Sequence, residues 1–232
     1  MLLREDLERI QSYLEDYDSA REKLLECSRR AVRLASWAML QVHRMQLDKA
    51  WETLKMVSDA LREMEEAVGR YPELSSHSNA LTAYQEYVEA ESLYILARED
   101  RLCRLDEVNV PISQYLLGLL DMIGELRRVV LESLKRGDPE SAESKLDIME
   151  RIYGDLLSLD HTALIPNFRH KMDAARRVIE ATRGDVVSEL RRKSLEEAIN
   201  DLNRSMDRLR VKGGWGDAVL SREGQEGPAD DG

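Results

Sequence analysis

The first 68 residues contain neither glycine nor proline, and this feature restricts the possible folds of the chain more than any other. Glycine and proline are the residues that most readily end a helix, the first through its backbone freedom and the second through its missing N–H group. Apolar residues in this stretch are separated by three or four residues, or by sums of these spacings, as on one face of a helix. They are Leu3, Leu7, Ile10, Leu14, Tyr17, Leu24, Ala31, Ala38, Val42 and Met45. The pattern predicts a first helix over residues 3–45, about 60 Å long, which needs other helices to pack against.

Glycine, proline and capping residues divide the rest of the chain into further helices. Asn79 is a candidate N-cap, Pro111 marks a helix entry, and Gly137, Asp138 and Pro139 form a helix stop, an N-cap and a first-turn proline in succession. The predicted helices cover residues 47–68, 80–101, 111–135, 139–158 and 166–212. We therefore predict an all-α bundle of about six helices, two of them very long.

Composition excludes several other classes of protein. Charged residues make up 34% of the chain and aromatic residues 5%, a balance that is unfavourable for a β-sandwich or β-barrel. Two cysteines cannot supply a disulfide-rich module or a four-thiolate zinc site. The longest apolar stretch, around residues 34–42, is far shorter than the roughly 20 residues of a membrane span, and the N-terminus has no apolar signal segment. We expect a soluble, cytoplasmic protein with no membrane partner.

The last twenty residues differ in composition from the rest. The segment GGWGDAVLSREGQEGPADDG is rich in glycine and acidic residues, as disordered tails are. We therefore predict a helical domain over residues 1–212 and a disordered tail over residues 213–232. The formal net charge of -11 includes this tail, but the helical part remains acidic without it.

Known catalytic motifs are missing from the sequence. It has no phosphate-binding glycine loop, dinucleotide fingerprint, nucleophile elbow or paired-histidine zinc helix, so we expect no nucleotide cofactor. The four histidines are scattered, and we interpret each as a surface or packing residue. They are His43, His77, His161 and His170. Carboxylates remain as the candidate catalytic groups.

Two pairs of carboxylates stand out because each pair continues an apolar helical face. Glu86 and Glu89 lie three residues apart on the third predicted helix, and Asp121 and Glu125 lie four apart on the fourth. If these helices are antiparallel neighbours, the four side chains can form one cluster. Such a cluster repels itself, so it would normally hold Mg²⁺ or Mn²⁺, which prefer oxygen ligands. The alternative is that these acids form structural ion pairs with neighbours such as Arg127 and Arg128.

A basic and aromatic stripe on the first helix is a candidate nucleic-acid surface. Its members follow one another at helical spacing and are Arg30, Arg33, Trp37, Gln41 and Arg44. Arg128 of the fourth predicted helix is a further candidate. The candidate nucleic-acid-binding residues are Arg30, Arg33, Trp37, Arg44 and Arg128. Guanidinium groups beside an indole suit phosphates and a stacked base of a single strand. The alternative is an ordinary solvated face, and the acidic charge of the chain argues against indiscriminate DNA binding.

Three long strings resemble the translin family, especially its translin-associated factor X branch and archaeal-type relatives. They are YQEYVEAESLY at 84–94, YLLGLLDMIGELRRVVLESLKRGD at 115–138 and NFRHKMDAARRVIEATRGDV at 167–186. The segment DSAREKLLECSRRAVR at 18–33 is also similar. The resemblance covers residues from about 5 to 190 in the same order.

The resemblance implies an all-α protein that assembles into hollow octamers and binds single-stranded RNA and DNA. It also implies metal-dependent endoribonuclease activity with Mg²⁺ or Mn²⁺, because the acids of the nuclease branch match Glu86, Glu89, Asp121 and Glu125. One of these four would act as general base. We expect a homo-octamer, since this chain has both the long first helix and the nuclease acids. Two alternatives stay open, namely a non-catalytic single-strand-binding protein and a helical oligomerisation scaffold.

Overall fold

The computed structural model describes residues 3–213, and within this range all regular secondary structure is helical. Six α-helices are present, and every one of their ends lies within two residues of its predicted position. They are α1 (Arg4–His43), α2 (Leu47–Gly69), α3 (Ser78–Glu99), α4 (Ile112–Lys135), α5 (Pro139–Leu157) and α6 (Phe168–Gly213). Short 3-10 helices occupy Pro72–Ser76, Leu105–Glu107 and Thr162–Leu164. The prediction of an all-α bundle with two very long helices is confirmed.

Capping residues set the helix boundaries, with one departure from expectation. The Asp138 carboxylate accepts a hydrogen bond from the backbone N–H of Ser141 at 3.0 Å, which confirms it as the N-cap of α5. Gly137 before it has φ +76°, a conformation that favours glycine. Asn79 is not the cap of α3. That position belongs to His77, whose Nδ1 accepts from the Asn79 backbone N–H at 3.3 Å.

Helix α3 lies at the centre of the bundle. It packs against α1, α2 and α4, while α1 also packs along α2 and α4 packs against α5. Most of α3 is therefore buried, including its run from Tyr87 to Leu96 apart from Glu89, which is partly buried. The largest fully buried side chains come from four helices and one 3-10 turn around it: they include Leu24, Leu54, Met64, Leu74, Met122, Ile123, Leu126 and Met149.

Gly118 allows α3 and α4 to approach closely. A Cβ atom added at this position would lie 2.8 Å from the Cβ of Val88 and 2.9 Å from the backbone oxygen of Gln85. Only glycine is compatible with that separation. On α3 the contact lies beside Glu86 and Glu89, and on α4 it precedes Asp121 by one turn and Glu125 by about two. The close contact therefore brings the two acidic pairs near each other.

The chain divides into two compact units, residues 1–184 and 185–232. In the first unit, the apolar face of α1 is buried only from Leu24 onward, whereas Leu3, Leu7, Ile10 and Leu14 are about half exposed or more. In the second, the described residues form the later part of α6 and carry exposed leucines such as Leu195 and Leu202. Residues 214–232 of the predicted tail lie outside the described residues. None of the described helices combines the length and apolarity needed to cross a bilayer.

Candidate active site

The structure brings the two acidic pairs together between α3 and α4. Glu86 and Glu89 belong to α3, and Asp121 and Glu125 belong to α4, which meets α3 closely at Gly118. The four groups influence one another electrostatically, since Asp121 and Glu125 both raise the pKa values of Glu86 and Glu89. We call these four residues the carboxylate cluster.

Burial makes two members of the cluster weak acids. Removal from water, followed by the negative charges of Glu86, Asp121 and Glu125, raises the pKa of Glu89 to about 8. Burial and the charge of Asp121 likewise raise the pKa of Glu86 above its usual range. Glu89 is therefore mostly protonated at neutral pH when no cation is bound. The carboxylates of the cluster repel one another, and a bound cation would reduce this repulsion.

Glu125 differs because it has a partner from α1. His43 hydrogen-bonds to the Glu125 carboxylate through Nε2, and Arg128 Nη1 lies 3.4 Å from the same oxygen. Burial is the largest single influence on Glu125 and would raise its pKa, but the hydrogen bonds and charges of His43 and Arg128 together outweigh it and the pKa is lowered. Glu125 thus stays ionised beside weakly acidic neighbours.

Asp121 is held by a cation from α6. Lys171 Nζ donates hydrogen bonds to the Asp121 carboxylate and, at 2.8 Å, to Gln85 Oε1. Gln85 in turn donates to Gln114 Oε1 at 2.5 Å, which links the start of α4 to the same network. The positive charge of Lys171 also lowers the pKa values of Glu86 and Glu89, partly offsetting their burial.

The donor set of the cluster suits a hard divalent cation, although its side chains are engaged elsewhere. Carboxylate oxygens are the ligands that Mg²⁺ and Mn²⁺ prefer, and the cluster offers four carboxylates. Within residues 3–213, however, no three His, Cys, Asp or Glu side chains are placed to hold one metal ion together. His43 and Lys171 contact Glu125 and Asp121, the two cluster carboxylates of α4. The residues fit a metal by chemistry, and an ion would compete with the cation of Lys171 for Asp121.

The candidate nucleic-acid residues of α1 do not form one free surface. Arg30 makes an ion pair with Glu63 of α2 at 2.7 Å, and the intervening Gln41 is buried against Thr53. Trp37 is 50% exposed, and Arg33 and Arg44 are exposed. This stripe therefore borders α2, whereas Arg128 lies beside Glu125 at the carboxylate cluster.

Sequence reasoning missed His43, Lys171 and Gln85. The sequence favours a surface or packing role for His43; its ring is only partly exposed and hydrogen-bonds to Glu125, a contact that the sequence does not predict. The sequence signal for a partly buried His43 is its neighbour Val42, which belongs to the apolar face of α1. Lys171 lies within the string NFRHKMDAARR, so that string could have indicated it. The alternative of ion pairing by arginines holds for Arg128, while Arg127 donates to Thr182 at 2.8 Å.

Comparison with known proteins agrees with this architecture. An uncharacterized protein of Methanocaldococcus jannaschii is 31% identical over 195 residues, which is 83% of this chain and 86% of that protein. AfC3PO in complex with duplex RNA is 30% identical with a TM-score of 0.70, covering 79% of this chain and 96% of its own. At 24% identity, apo-NeC3PO shares the fold with a TM-score of 0.73, covering 82% of this chain and 99% of its own. Residues 5–181 match the model of the Translin family. The chain therefore belongs to the translin family.

Proposed function

We propose that this chain binds RNA and cuts single-stranded RNA as a Mg²⁺- or Mn²⁺-dependent endoribonuclease. The observation that supports this most is the convergence of Glu86, Glu89, Asp121 and Glu125 at the tightly packed α3–α4 contact, with two pKa values raised. Clusters of perturbed carboxylates are typical of catalytic sites. A structural relative, AfC3PO, has been solved with duplex RNA, which supports RNA as the ligand class.

The residues of the cluster divide into two roles. Glu125 stays ionised beside His43 and Arg128, so it is suited to hold a cation, and Asp121 would hold one in exchange for Lys171. Glu89, with a pKa of about 8, is the group best suited to exchange a proton near neutral pH. A bound Mg²⁺ or Mn²⁺ would supply positive charge beside the scissile phosphate and favour ionisation of the attacking water.

A homo-octamer that encloses the strand is part of the proposal. The first turns of α1 expose Leu3, Leu7, Ile10 and Leu14 on one face, which a neighbouring copy would cover. Enclosure would restrict substrates to short or unstructured strands. Light scattering of the full chain measures the assembly, and a monomer at micromolar concentration would contradict this part.

The test is a cleavage assay on short single-stranded RNA, with Mn²⁺ and with chelator. The variants Glu86→Gln, Glu89→Gln, Asp121→Asn and Glu125→Gln keep the shape of each side chain and remove its charge. Glu66→Gln on α2 and Asp147→Asn on α5 are matched controls, because both residues are exposed and distant from the cluster in sequence. We expect metal-dependent cleavage by wild type and controls, and loss of at least about 100-fold in the cluster variants. Cleavage that persists in the cluster variants would contradict the proposal.

A second candidate function is RNA or single-stranded DNA binding without cleavage. It is favoured by the contacts of His43 and Lys171, which engage Glu125 and Asp121 without any metal. In that case wild type and cluster variants bind single strands equally, with salt-sensitive affinity, and none of them cuts. Parallel binding measurements on single-stranded RNA, single-stranded DNA and duplex RNA separate the two functions and identify the preferred strand.

A further inference from the structure

An open cavity of about 640 Å³ adjoins the carboxylate cluster. It is formed by α1, α3, α4 and the start of α5, and its volume lies within the range of about 300–1,000 Å³ that is typical of small-ligand sites. His43 belongs to both places, since its ring lines the cavity while its Nε2 contacts Glu125. A molecule in the cavity therefore lies next to the cluster.

The cavity has an apolar wall and a charged rim. Leu93 and Leu96 of α3 and Val129 of α4 provide the apolar wall, and the two leucines are almost completely buried. The cations at the rim are Arg98, Arg136 and Lys145. Apolar surface beside positive charge suits a ligand with a flat or weakly polar body and an anionic group.

Two of the three cations remain available for an anion. Lys145 pairs with Asp100 at 3.1 Å, so its charge is largely neutralised. Arg98 donates to the Tyr94 hydroxyl at 2.9 Å and Arg136 to the Ser133 hydroxyl at 3.3 Å. Across the described part of the chain, neither guanidinium has a carboxylate within ion-pair distance.

Nearby acids offset the charge of Arg98 only in part, since Glu99 and Asp48 act on it electrostatically but form no ion pair with it. Glu99 is engaged by Arg101 at 2.8 Å, and Asp100 is engaged by Lys145. Glu132 is exposed to solvent, where its charge is screened. A guanidinium carries five N–H donors. Arg98 and Arg136 each donate one hydrogen bond to a neutral hydroxyl, so their other N–H groups can bind an anion. Arg98 and Arg136 are thus the rim cations with N–H donors left for an anion.

We propose that this cavity binds one nucleotide of the RNA strand, next to the nucleotide held at the carboxylate cluster. Arg98 and Arg136 bind its phosphate, and the leucine wall contacts its base or sugar. The inference rests on the proposed function, because the shared residue His43 is what places this nucleotide beside the site of cleavage. The chain thereby fixes the position of the strand relative to the scissile bond.

Trp51 provides an optical signal for the cavity. Its ring stacks on that of Tyr94, with centroids 5.6 Å apart, and the Tyr94 hydroxyl accepts the hydrogen bond from Arg98. A phosphate that binds Arg98 changes this arrangement, so binding alters the fluorescence of Trp51. Trp51→Phe removes the signal and identifies its source.

The experiment titrates adenosine monophosphate into the full chain and follows heat and tryptophan fluorescence. Arg98→Gln and Arg136→Gln each weaken binding roughly tenfold, because each removes one charge-assisted phosphate contact. Arg98→Lys keeps most of the affinity. The matched control is Arg104→Gln, since Arg104 is 70% exposed and pairs with Asp106 outside the cavity. Circular dichroism confirms that each variant keeps its helices.

Cleavage kinetics on short RNA test the positioning role. The two glutamine variants raise KM roughly tenfold and leave kcat within about twofold, because both arginines bind the strand and not the reacting atoms. A second readout is the set of cut sites on one defined strand, which becomes less uniform when the flanking nucleotide is no longer fixed. The control Arg104→Gln leaves KM and the cut sites unchanged.

The outcomes separate this inference from the proposed function. If wild type cuts RNA but the arginine variants bind the nucleotide and cut the strand as wild type does, the cavity is not a nucleotide site and the nuclease stands. If wild type never cuts, yet binds the nucleotide in an Arg98- and Arg136-dependent way, the nuclease is wrong and the cavity stands as a nucleotide site. Absence of any nucleotide binding at millimolar concentration overturns the inference.

Discussion

His43 near the end of α1 hydrogen-bonds to the carboxylate of Glu125 in the middle of α4, across 82 positions of sequence. This contact keeps the pKa of Glu125 below its usual range while burial raises that of Glu89 to about 8. Neighbouring carboxylates therefore have different protonation states at neutral pH. Catalytic sites commonly assign different roles to paired acids in this way.

Loss of this contact is expected to impair catalysis more than folding. His43→Ala leaves Glu125 without its orienting partner, so we expect kcat/KM for metal-dependent RNA cleavage to fall by about 10- to 100-fold. The measurement is a cleavage assay at saturating Mn²⁺, together with a thermal melt. His170→Ala is the matched control, because His170 is exposed on α6 and makes no contact with the cluster. Equal activity of both variants would show that His43 has only a packing role.

Lys171 is expected to compete with the metal ion. Its cation lies against Asp121 and lowers the pKa values of Glu86 and Glu89, so Lys171→Met leaves the cluster more negative. We expect Lys171→Met to be half-saturated at a Mn²⁺ concentration about three- to tenfold lower than that of wild type. The rise of the melting temperature with Mn²⁺ reports the binding.

Lys135→Met serves as control for a lost positive charge, since Lys135 is exposed in the last turn of α4. It should leave the Mn²⁺ dependence unchanged. Without metal, Lys171→Met should melt at a lower temperature than wild type, because the repulsion within the cluster is no longer offset. Weaker Mn²⁺ binding by Lys171→Met would instead mean that the lysine organises the ligands.

The helix boundaries and the shared helical face of each acidic pair could be predicted from the sequence because both depend on local spacing. Glycine, proline and capping residues end helices where they stand, and an acid three or four positions from another acid shares its helical face. The partners of the acids could not be predicted. His43 and Lys171 reach Glu125 and Asp121 from α1 and α6, and such contacts depend on how distant helices pack.

The basic stripe of α1 also shows that spacing along the sequence does not predict contacts between helices. Its spacing correctly places Arg30, Trp37 and Gln41 on one face, but periodicity does not tell what that face meets. The structure places it along α2, where Glu63 takes the charge of Arg30 and Thr53 contacts Gln41. A local pattern identifies a face, and only the tertiary arrangement identifies its neighbour.

A methyl group at Gly118 is expected to separate the two acidic pairs. Gly118→Ala places a carbon 2.8 Å from the Val88 Cβ and 2.9 Å from a backbone oxygen, so α3 and α4 have to move apart. We expect a loss of about 1–3 kcal/mol in the free energy of unfolding and a reduced affinity for Mn²⁺. Chemical denaturation measures the first quantity and calorimetry the second.

Gly124→Ala is the internal control for that substitution, because a Cβ at Gly124 would have no atom within 4 Å. Here alanine only improves helix propensity in α4, so the free energy of unfolding should rise by up to about 1 kcal/mol. Opposite signs for the two variants would confirm that close packing, and not the helical backbone, determines the need for glycine at position 118. A stabilising Gly118→Ala would contradict the close contact of α3 and α4.

Glu91 is expected to make the protein less stable as the pH rises. It is buried on α3, and burial together with the charge of Glu107 raises its pKa from 4.5 to about 7. The native state therefore binds more protons than the unfolded state between these pH values, and the free energy of unfolding falls as pH increases through this window. The full penalty above about pH 7 is on the order of 3 kcal/mol.

Glu91→Gln removes this ionisation, so its stability should match wild type below about pH 4.5 and exceed it increasingly up to about pH 7. Denaturant unfolding at several pH values, with chelator present, measures the difference. Glu89 titrates in the same direction with a pKa of about 8, so the variant keeps part of the slope up to that pH. Glu66→Gln on the exposed face of α2 should follow wild type throughout. If Glu91→Gln also follows wild type, Glu91 is not buried as a titrating group and α3 must be more open to water.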